Sequence, residues 1–227
     1  AAYCYVKAEY RKALSRPDAS TFMGRMALRF MMQHHGEAQA AMIEALPGDL
    51  PRGSIVELGF GHGEGLKLLL DKYPHRPLIG LEISPSVVEL VSAWPQAQGP
   101  SPRLRAAVGD PCAGLSLEEG SVALSFNMNC VYFWSDLEAG ARELYRVAAP
   151  GGVAVTVTHP HHVRAMKGGP FQNVHLPPVI QALRKAGFEV AVRVLTTDGN
   201  LETLEVHEEK QKAPLASTAM LLATKPL

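Results

Sequence analysis

Acidic residues and glycines recur along this chain at positions where a ligand could use them. The run Ile55-Val56-Glu57-Leu58-Gly59-Phe60-Gly61-His62-Gly63 sets a carboxylate inside an apolar stretch, with glycines at every second position after it. Gly59 and Gly61 permit a tight turn and a close approach of bare backbone to a ligand. A second acid, Glu82, closes another apolar run 19 residues after Gly63. That spacing suits an acid that holds a ribose diol. Asp110, before Pro111, ends a third run, and Asn127 ends a fourth. The dinucleotide spacing G-x-G-x-x-G does not fit, because Glu64 and Leu66 stand where its third glycine would be. A pyrophosphate calls for N–H donors and no adjacent carboxylate, whereas Glu57 suits a cationic group.

Two further clusters could touch a second molecule. Tyr132, Phe133 and Trp134 follow the fourth run and could stack on a flat partner or hold a cation over a ring face, with a packed aromatic cluster as the alternative. His159, His161 and His162 follow the fifth run. No Cys, Asp or Glu accompanies them at ligand spacing, so no metal site is expected. A histidine that contacts substrate or acts as general base remains open, with His159 closest to the strand end, and so does a solvated loop. His34 and His35 are helical neighbours about 100° apart, so at most one faces a pocket, and packing or surface roles suit them better.

Several elements must position these residues. Ser54 to Leu58 reads as a buried parallel strand, and Leu66 to Leu70 as the opening of the helix behind the glycine turn. From residue 53 onward strands and helices alternate, the pattern of a doubly wound parallel sheet. The later strands are Pro77 to Glu82, Leu104 to Val108, Val122 to Asn127, Val153 to Thr158, Phe188 to Leu195 and Ala219 to Thr224, the last pairing antiparallel with the sixth. Ser84-Pro85 starts one helix, Ser135 and Glu138 form a capping box for another, and Val179 to Ala186 is a third. Residues 197–215 are polar and read as an exposed excursion.

Residues 1–47 are read as a helical cap or lid and residues 48–227 as the main domain. Tyr3, Val6, Tyr10 and Leu14 form one stripe, broken at Pro17. Thr21 opens a second, with Phe22, Met23, Met26, Phe30 and Met31 at helical spacing. Gly36 interrupts it before Ala38 to Ala45 continue to Pro47. The stripe suits core packing, and its Met and aromatic faces, Met26 and Phe30 among them, could also line a pocket.

Composition narrows the function classes. The 227 residues carry 22 Lys+Arg and 22 Asp+Glu, a formal net charge of zero with no basic block. Nucleic acid and anionic membrane are therefore not expected as main partners. No apolar run reaches the length needed to span a bilayer. Cys4, Cys112 and Cys130 are far apart and odd in number, which fits a reducing compartment. A cytoplasmic location is expected, with import into an organelle if a leader precedes residue 1.

The motif apolar-acid-x-Gly-x-Gly-x-Gly at residues 56–63, the Tyr-Phe-Trp stretch before a helix and Arg146-Val147-Ala148-Ala149-Pro150-Gly151-Gly152 before a strand together resemble class I S-adenosylmethionine (SAM) methyltransferases. The resemblance is to their small-molecule, ubiquinone-biosynthesis-like or "type 11" branch, over roughly residues 50–227. It implies an α/β fold, a seven-stranded Rossmann-like sheet with helices on both faces and an N-terminal helical lid. It implies SAM as methyl donor, with S-adenosylhomocysteine as product, and a small-molecule acceptor. By resemblance Glu57, Gly59 and Gly61 hold the methionine portion, Glu82 the ribose and Asp110 the adenine amino group. Asn127 faces the methionine ammonium, and Phe60, Gly63, Ile83 and Pro111 complete the cofactor-binding set. His159 and Tyr132 are the catalytic candidates, and Trp134, Phe133, Met26, Phe30 and His161 the acceptor contacts. A monomer or homodimer is expected. The other readings are methylation of a protein side chain, a silent SAM-binding scaffold and, weakest, a nicotinamide dehydrogenase.

Overall fold

The structure is a computed structural model that describes residues 13, 16–159, 171–195, 201–204 and 218–227. Five parallel strands form its first half: β1 (Ser54–Leu58), β2 (Leu78–Glu82), β3 (Leu104–Val108), β4 (Val122–Met128) and β5 (Ala148–Thr158). β6 (Glu189–Leu195), β7 (Leu201–Leu204) and β8 (Ala219–Thr224) complete the sheet. The order is β3-β2-β1-β4-β5-β8-β6-β7, with β8 antiparallel to both β5 and β6. The sheet therefore has eight strands where seven are expected. The extra one, β7, falls within the stretch read as an excursion and pairs antiparallel with β6, Arg193 opposite Thr203.

The helices are α1 (Phe22–Glu44), α2 (Glu64–Lys72), α3 (Pro85–Ser92), α4 (Leu137–Val147) and α5 (Leu176–Ala186). Side chains of paired residues on neighbouring strands share a face, and this sorts the core. Ile55, Leu124, Phe126 and Val155 pack with Met42 and Ile43 of α1 and Leu46 just beyond it, Leu66 and Leu69 of α2, and Val87 and Val91 of α3. Val56, Leu58, Ala154 and Leu221 pack on the other face with Leu144 of α4 and Val179, Ile180 and Leu183 of α5. Every residue of β4 is buried, as a central strand covered on both faces requires.

Three local expectations are corrected. Gly36 does not interrupt α1, which runs unbroken from Phe22 to Glu44. One glycine costs a helix only about 1 kcal/mol, and burial of Met42, Ile43 and Leu46 outweighs that. The cap of α4 is Asp136 rather than Ser135, its Oδ1 accepting from the Ala139 N–H at 2.9 Å. A carboxylate there also faces the positive end of the helix. β5 begins at Ala148, because Gly151, at φ 73°, turns within the strand while its N–H still donates to Lys225 O at 3.0 Å.

The C-terminal part of α1 is integral to the main body. Lys72 Nζ donates to Glu44 O at 2.7 Å, and the Tyr73 hydroxyl to Pro47 O at 2.7 Å. Ahead of α1, the Ala19 N–H donates to Ser86 Oγ at 3.0 Å and Arg16 Nη2 to Ile83 O at 3.4 Å. These contacts hold residues 16–19 against the β2–α3 junction. The stripe expected over residues 3–14 lies outside the described residues, apart from Ala13. Among the described residues no helix is long and apolar enough to cross a membrane.

Candidate functional site at the carboxyl ends of the strands

The carboxyl ends of β1, β2, β4 and β5 bring most of the chemistry-bearing residues together. Open α/β sheets bind ligands in this crevice, where strand order reverses; here it lies between β1 and β4. After Leu58 the chain turns through Gly59, Gly61 and Gly63 at φ 70°, 49° and 82°. Three left-handed residues in alternation are feasible because glycine has no Cβ to clash. A Cβ on Gly59 would also run into Cys130 Sγ. Gly63 caps α2 without a side-chain hydrogen bond. His62 Nδ1 accepts from the Glu64 N–H at 3.3 Å, and burial holds the imidazole pKa below its usual range.

Glu82 stands beside the turn and is tied into it. Its Oε2 accepts from the Gly61 N–H at 3.1 Å, and its Oε1 from the Ile83 and Ser84 N–H groups at 2.8 and 3.2 Å. Burial raises its pKa, opposed by those three N–H donors and by the Arg16 guanidinium. Glu57 is treated very differently. It is 2% exposed, and burial, with the nearby Glu82 charge, pushes its pKa well up. Its Oε1 accepts a long 3.5 Å bond from Gln39 Nε2 of α1, and its Oε2 has no hydrogen-bond partner among the described residues. Gly65 of α2 lies directly over this pair, where a Cβ would strike Glu57 Oε1. Two buried acids, one of them held by a single long hydrogen bond, leave the crevice short of positive charge. The Cys130 thiol beside them, its Sγ 3.4 Å from Leu58 O, is driven up by burial and by both acids and stays protonated.

The predicted cofactor residues fall into two groups. Glu57, Gly59, Gly61, Gly63, Glu82 and Ile83 converge on the turn. Asp110 forms its own turn nearby, its Oδ1 accepting from the Cys112 N–H at 2.9 Å, with Pro111 buried beside it. Phe60 sends its ring into the core against Gly80, so its backbone is what the turn can present. Asn127 is a correction. It shares a face with Thr156, on the α4/α5 side of the sheet and opposite to Glu57. Its Nδ2 donates to Thr156 Oγ1 at 3.0 Å and to Val155 O at 3.3 Å. An odd–even offset along β4 decides this: Phe126, not Asn127, pairs with Glu57.

The acceptor-side candidates divide in the same way. Tyr132, Phe133 and Phe171 form a cluster with ring centroids 4.7–5.4 Å apart. Burial raises the Tyr132 pKa far beyond the phenol range, so this hydroxyl keeps its proton and can offer a hydrogen bond but not a phenolate base at neutral pH. Trp134, like Tyr132, is buried, and its ring packs against α4. It is 6% exposed, and a Cβ on Gly140 of α4 would meet its ring at 2.7 Å. Trp134→Ala is expected to cost about 3–5 kcal/mol in urea unfolding while the ligand affinity of the folded fraction is unchanged. Met26 is 46% exposed, off the α1 stripe that enters the core, while Phe30 is half-buried. His159 lies at the end of β5, its Nδ1 2.9 Å from Asn129 Oδ1. His161 lies outside the described residues, as do the side chains of His34 and His35. Among the described residues no group of three His, Cys, Asp or Glu is placed to hold a metal.

Three neighbours of the site escaped the sequence reading. Gln39 breaks the buried stripe Leu28, Met42, Ile43, Leu46 with a polar side chain, and that anomaly is its one sequence signal. Asn129 and Cys130 carry no signal, because their partners are 30 and 72 residues away in sequence.

A Rossmann-like sheet with an antiparallel strand inserted beside β5, a glycine turn after β1 and acids at the ends of β1 and β2 define the class I methyltransferase architecture. Residues 55–152 match the family model described as "Methyltransferase domain". Similar curated proteins are "Probable tocopherol O-methyltransferase, chloroplastic" of Oryza sativa subsp. japonica, 32% identical over 57% of this chain, and ajmaline N-methyltransferase of Rauvolfia serpentina, 28% identical over 63%. The matched regions span 38% and 47% of those proteins. Among solved structures, geranyl diphosphate C-methyltransferase from Streptomyces coelicolor A3(2) superposes with a TM-score of 0.63 at 15% identity, over 94% of this chain and 87% of that one. At that identity the likeness is one of fold.

Proposed function

We propose that this protein transfers a methyl group from SAM to a small-molecule acceptor. The observation that carries the reading is the buried Glu57, its Oε2 without a hydrogen-bond partner among the described residues, beside Glu82 under a left-handed glycine turn. A buried carboxylate with one oxygen unanswered is costly unless a ligand answers it, and the methionine end of SAM brings a cationic ammonium and sulfonium. When bound, SAM supplies a methyl group already activated for in-line displacement. This chain then has to orient the acceptor, exclude water and, where the acceptor is protonated, take up one proton. Glu57, Gly59, Phe60, Gly61 and Gly63 would serve the methionine end, Glu82 and Ile83 the ribose, and Asp110 and Pro111 the adenine. His159, Tyr132, Phe133 and Phe171 would face the acceptor. Residues 1–47 would act as a cap whose α1 portion is anchored through Gln39 and Glu44, with residues 48–227 as the catalytic domain.

Supporting a small acceptor, the curated relatives and the structural neighbour are named for tocopherol, ajmaline and geranyl diphosphate. The even charge balance of the chain points the same way. Calorimetric titration with SAM, S-adenosylhomocysteine and NAD tests the proposal. Both adenosyl ligands are expected to bind in the micromolar range and NAD not at all. A folded protein that binds neither adenosyl ligand would sink it.

A further inference from the structure

Among the described residues, Asn129 is the one non-glycine residue with a positive φ, 58°. A left-handed backbone is mildly strained for any residue with a Cβ, although asparagine tolerates it better than most. Such strain concentrates at functional sites. The residue leaves β4 at its carboxyl end, its own N–H still donating to Val157 O of β5 at 2.9 Å. The next residue, Cys130, touches Leu58 O just before the glycine turn. Farther along, Asn173 Nδ2 pins the same loop through Val131 O at 2.8 Å and Trp134 O at 3.0 Å. Glycine would satisfy the backbone here without strain. What asparagine adds is an amide, and its Oδ1 lies 2.9 Å from His159 Nδ1.

We infer that Asn129 is a positioning residue: its amide oxygen accepts a hydrogen bond from His159 Nδ1–H and so keeps His159 Nε2 unprotonated as the base for the acceptor. An amide oxygen offers only lone pairs, so the ring nitrogen facing it must carry the hydrogen. In a neutral imidazole the other nitrogen then holds the free pair. This deepens the methyl-transfer reading and rests on it, and it narrows the acceptor class. The preferred acceptors carry a proton on the nucleophilic atom near neutral pH, as a phenol or an ammonium does. Carboxylates and tertiary amines need no such base. In the step itself the acceptor X–H proton passes to Nε2, an X–CH3 bond forms and the C–S bond breaks. The bonding pair stays on sulfur, which becomes a neutral thioether, and the imidazolium returns its proton to solvent.

The test is the tautomer of the His159 ring, read by long-range 15N–1H NMR on 15N-histidine-labelled full chain, with His159→Gln assigning the signal. Wild type is expected to show the Nδ1–H form at a pH where the ring is neutral. Asn129→Gly keeps the left-handed backbone and removes the amide. In it the Nδ1–H form is expected to give way to Nε2–H, while calorimetric SAM affinity stays within about twofold. An Nε2–H ring in wild type, or an Nδ1–H ring that persists in Asn129→Gly, would overturn the inference. Loss of SAM binding by wild type would instead overturn the methyl-transfer reading, and the ring tautomer is read independently of it.

Discussion

Replacing Glu57 with glutamine is expected to stabilise the ligand-free protein and to weaken SAM binding. The two effects share one cause. Burial, with the Glu82 charge behind it, raises the Glu57 pKa, and Oε2 has no donor among the described residues. A carboxyl whose folded pKa lies above its unfolded value takes up a proton on folding. Its stabilising contribution is complete below the unfolded pKa and is lost as pH rises through the folded one. At neutral pH the ligand-free protein therefore carries a penalty that the neutral amide removes, and Gln39 can pair with that amide by turning over its own. A gain of about 1–3 kcal/mol is expected, the usual cost of an unsatisfied buried polar group. Denaturant melts from pH 7 toward pH 5 should show wild type gaining stability while the variant's curve stays flatter. Binding moves the opposite way, because the ligand loses its buried counter-charge. A loss of at least about 2 kcal/mol, some thirtyfold in Kd, is expected. Equal losses for SAM and S-adenosylhomocysteine would place the interaction at the ammonium, and a larger loss for SAM at the sulfonium. A variant less stable than wild type across this pH range, with unchanged affinity, would remove Glu57 from the site.

Glu82→Ala should behave oppositely in stability and alike in binding. Its carboxylate already accepts from Gly61, Ile83 and Ser84, so the variant leaves three N–H groups without their acceptor and releases the glycine turn. A stability loss of about 1–3 kcal/mol is expected from the unpaired donors. Two charge-assisted bonds to a ribose diol are worth about 3 kcal/mol together, so affinity for both adenosyl ligands should fall on the order of a hundredfold. Calorimetry on the two variants side by side separates an acid that holds its own loop from an acid that waits for a ligand. Near-wild-type binding in Glu82→Ala would mean that the ribose is held elsewhere.

The sequence by itself determined the frame. Strand, glycine turn and helix over residues 54–72 were legible because local patterns specify them: an apolar run, residues without a Cβ, then helical periodicity. The acid that ends β2 was legible for the same reason, since its spacing from the glycine turn is set along the chain. What only the tertiary structure decided depends on faces and on distant partners. Side chains alternate along a strand, so one step of register sent Asn127 to the α4/α5 side and left Glu57 opposite it. Trp134 lies two residues beyond Tyr132, yet the close approach of Gly140 drew its ring into the core, while Tyr132 and Phe133 joined Phe171. β7 was missed because a four-residue edge strand inside a polar stretch exists through pairing and is too short for a periodic pattern of its own. Gln39 reaches Glu57 across 18 residues, and Asn129 meets His159 across 30. Pairings that long leave no trace in local periodicity, because the sheet, and not the neighbouring chain, brings the two partners together.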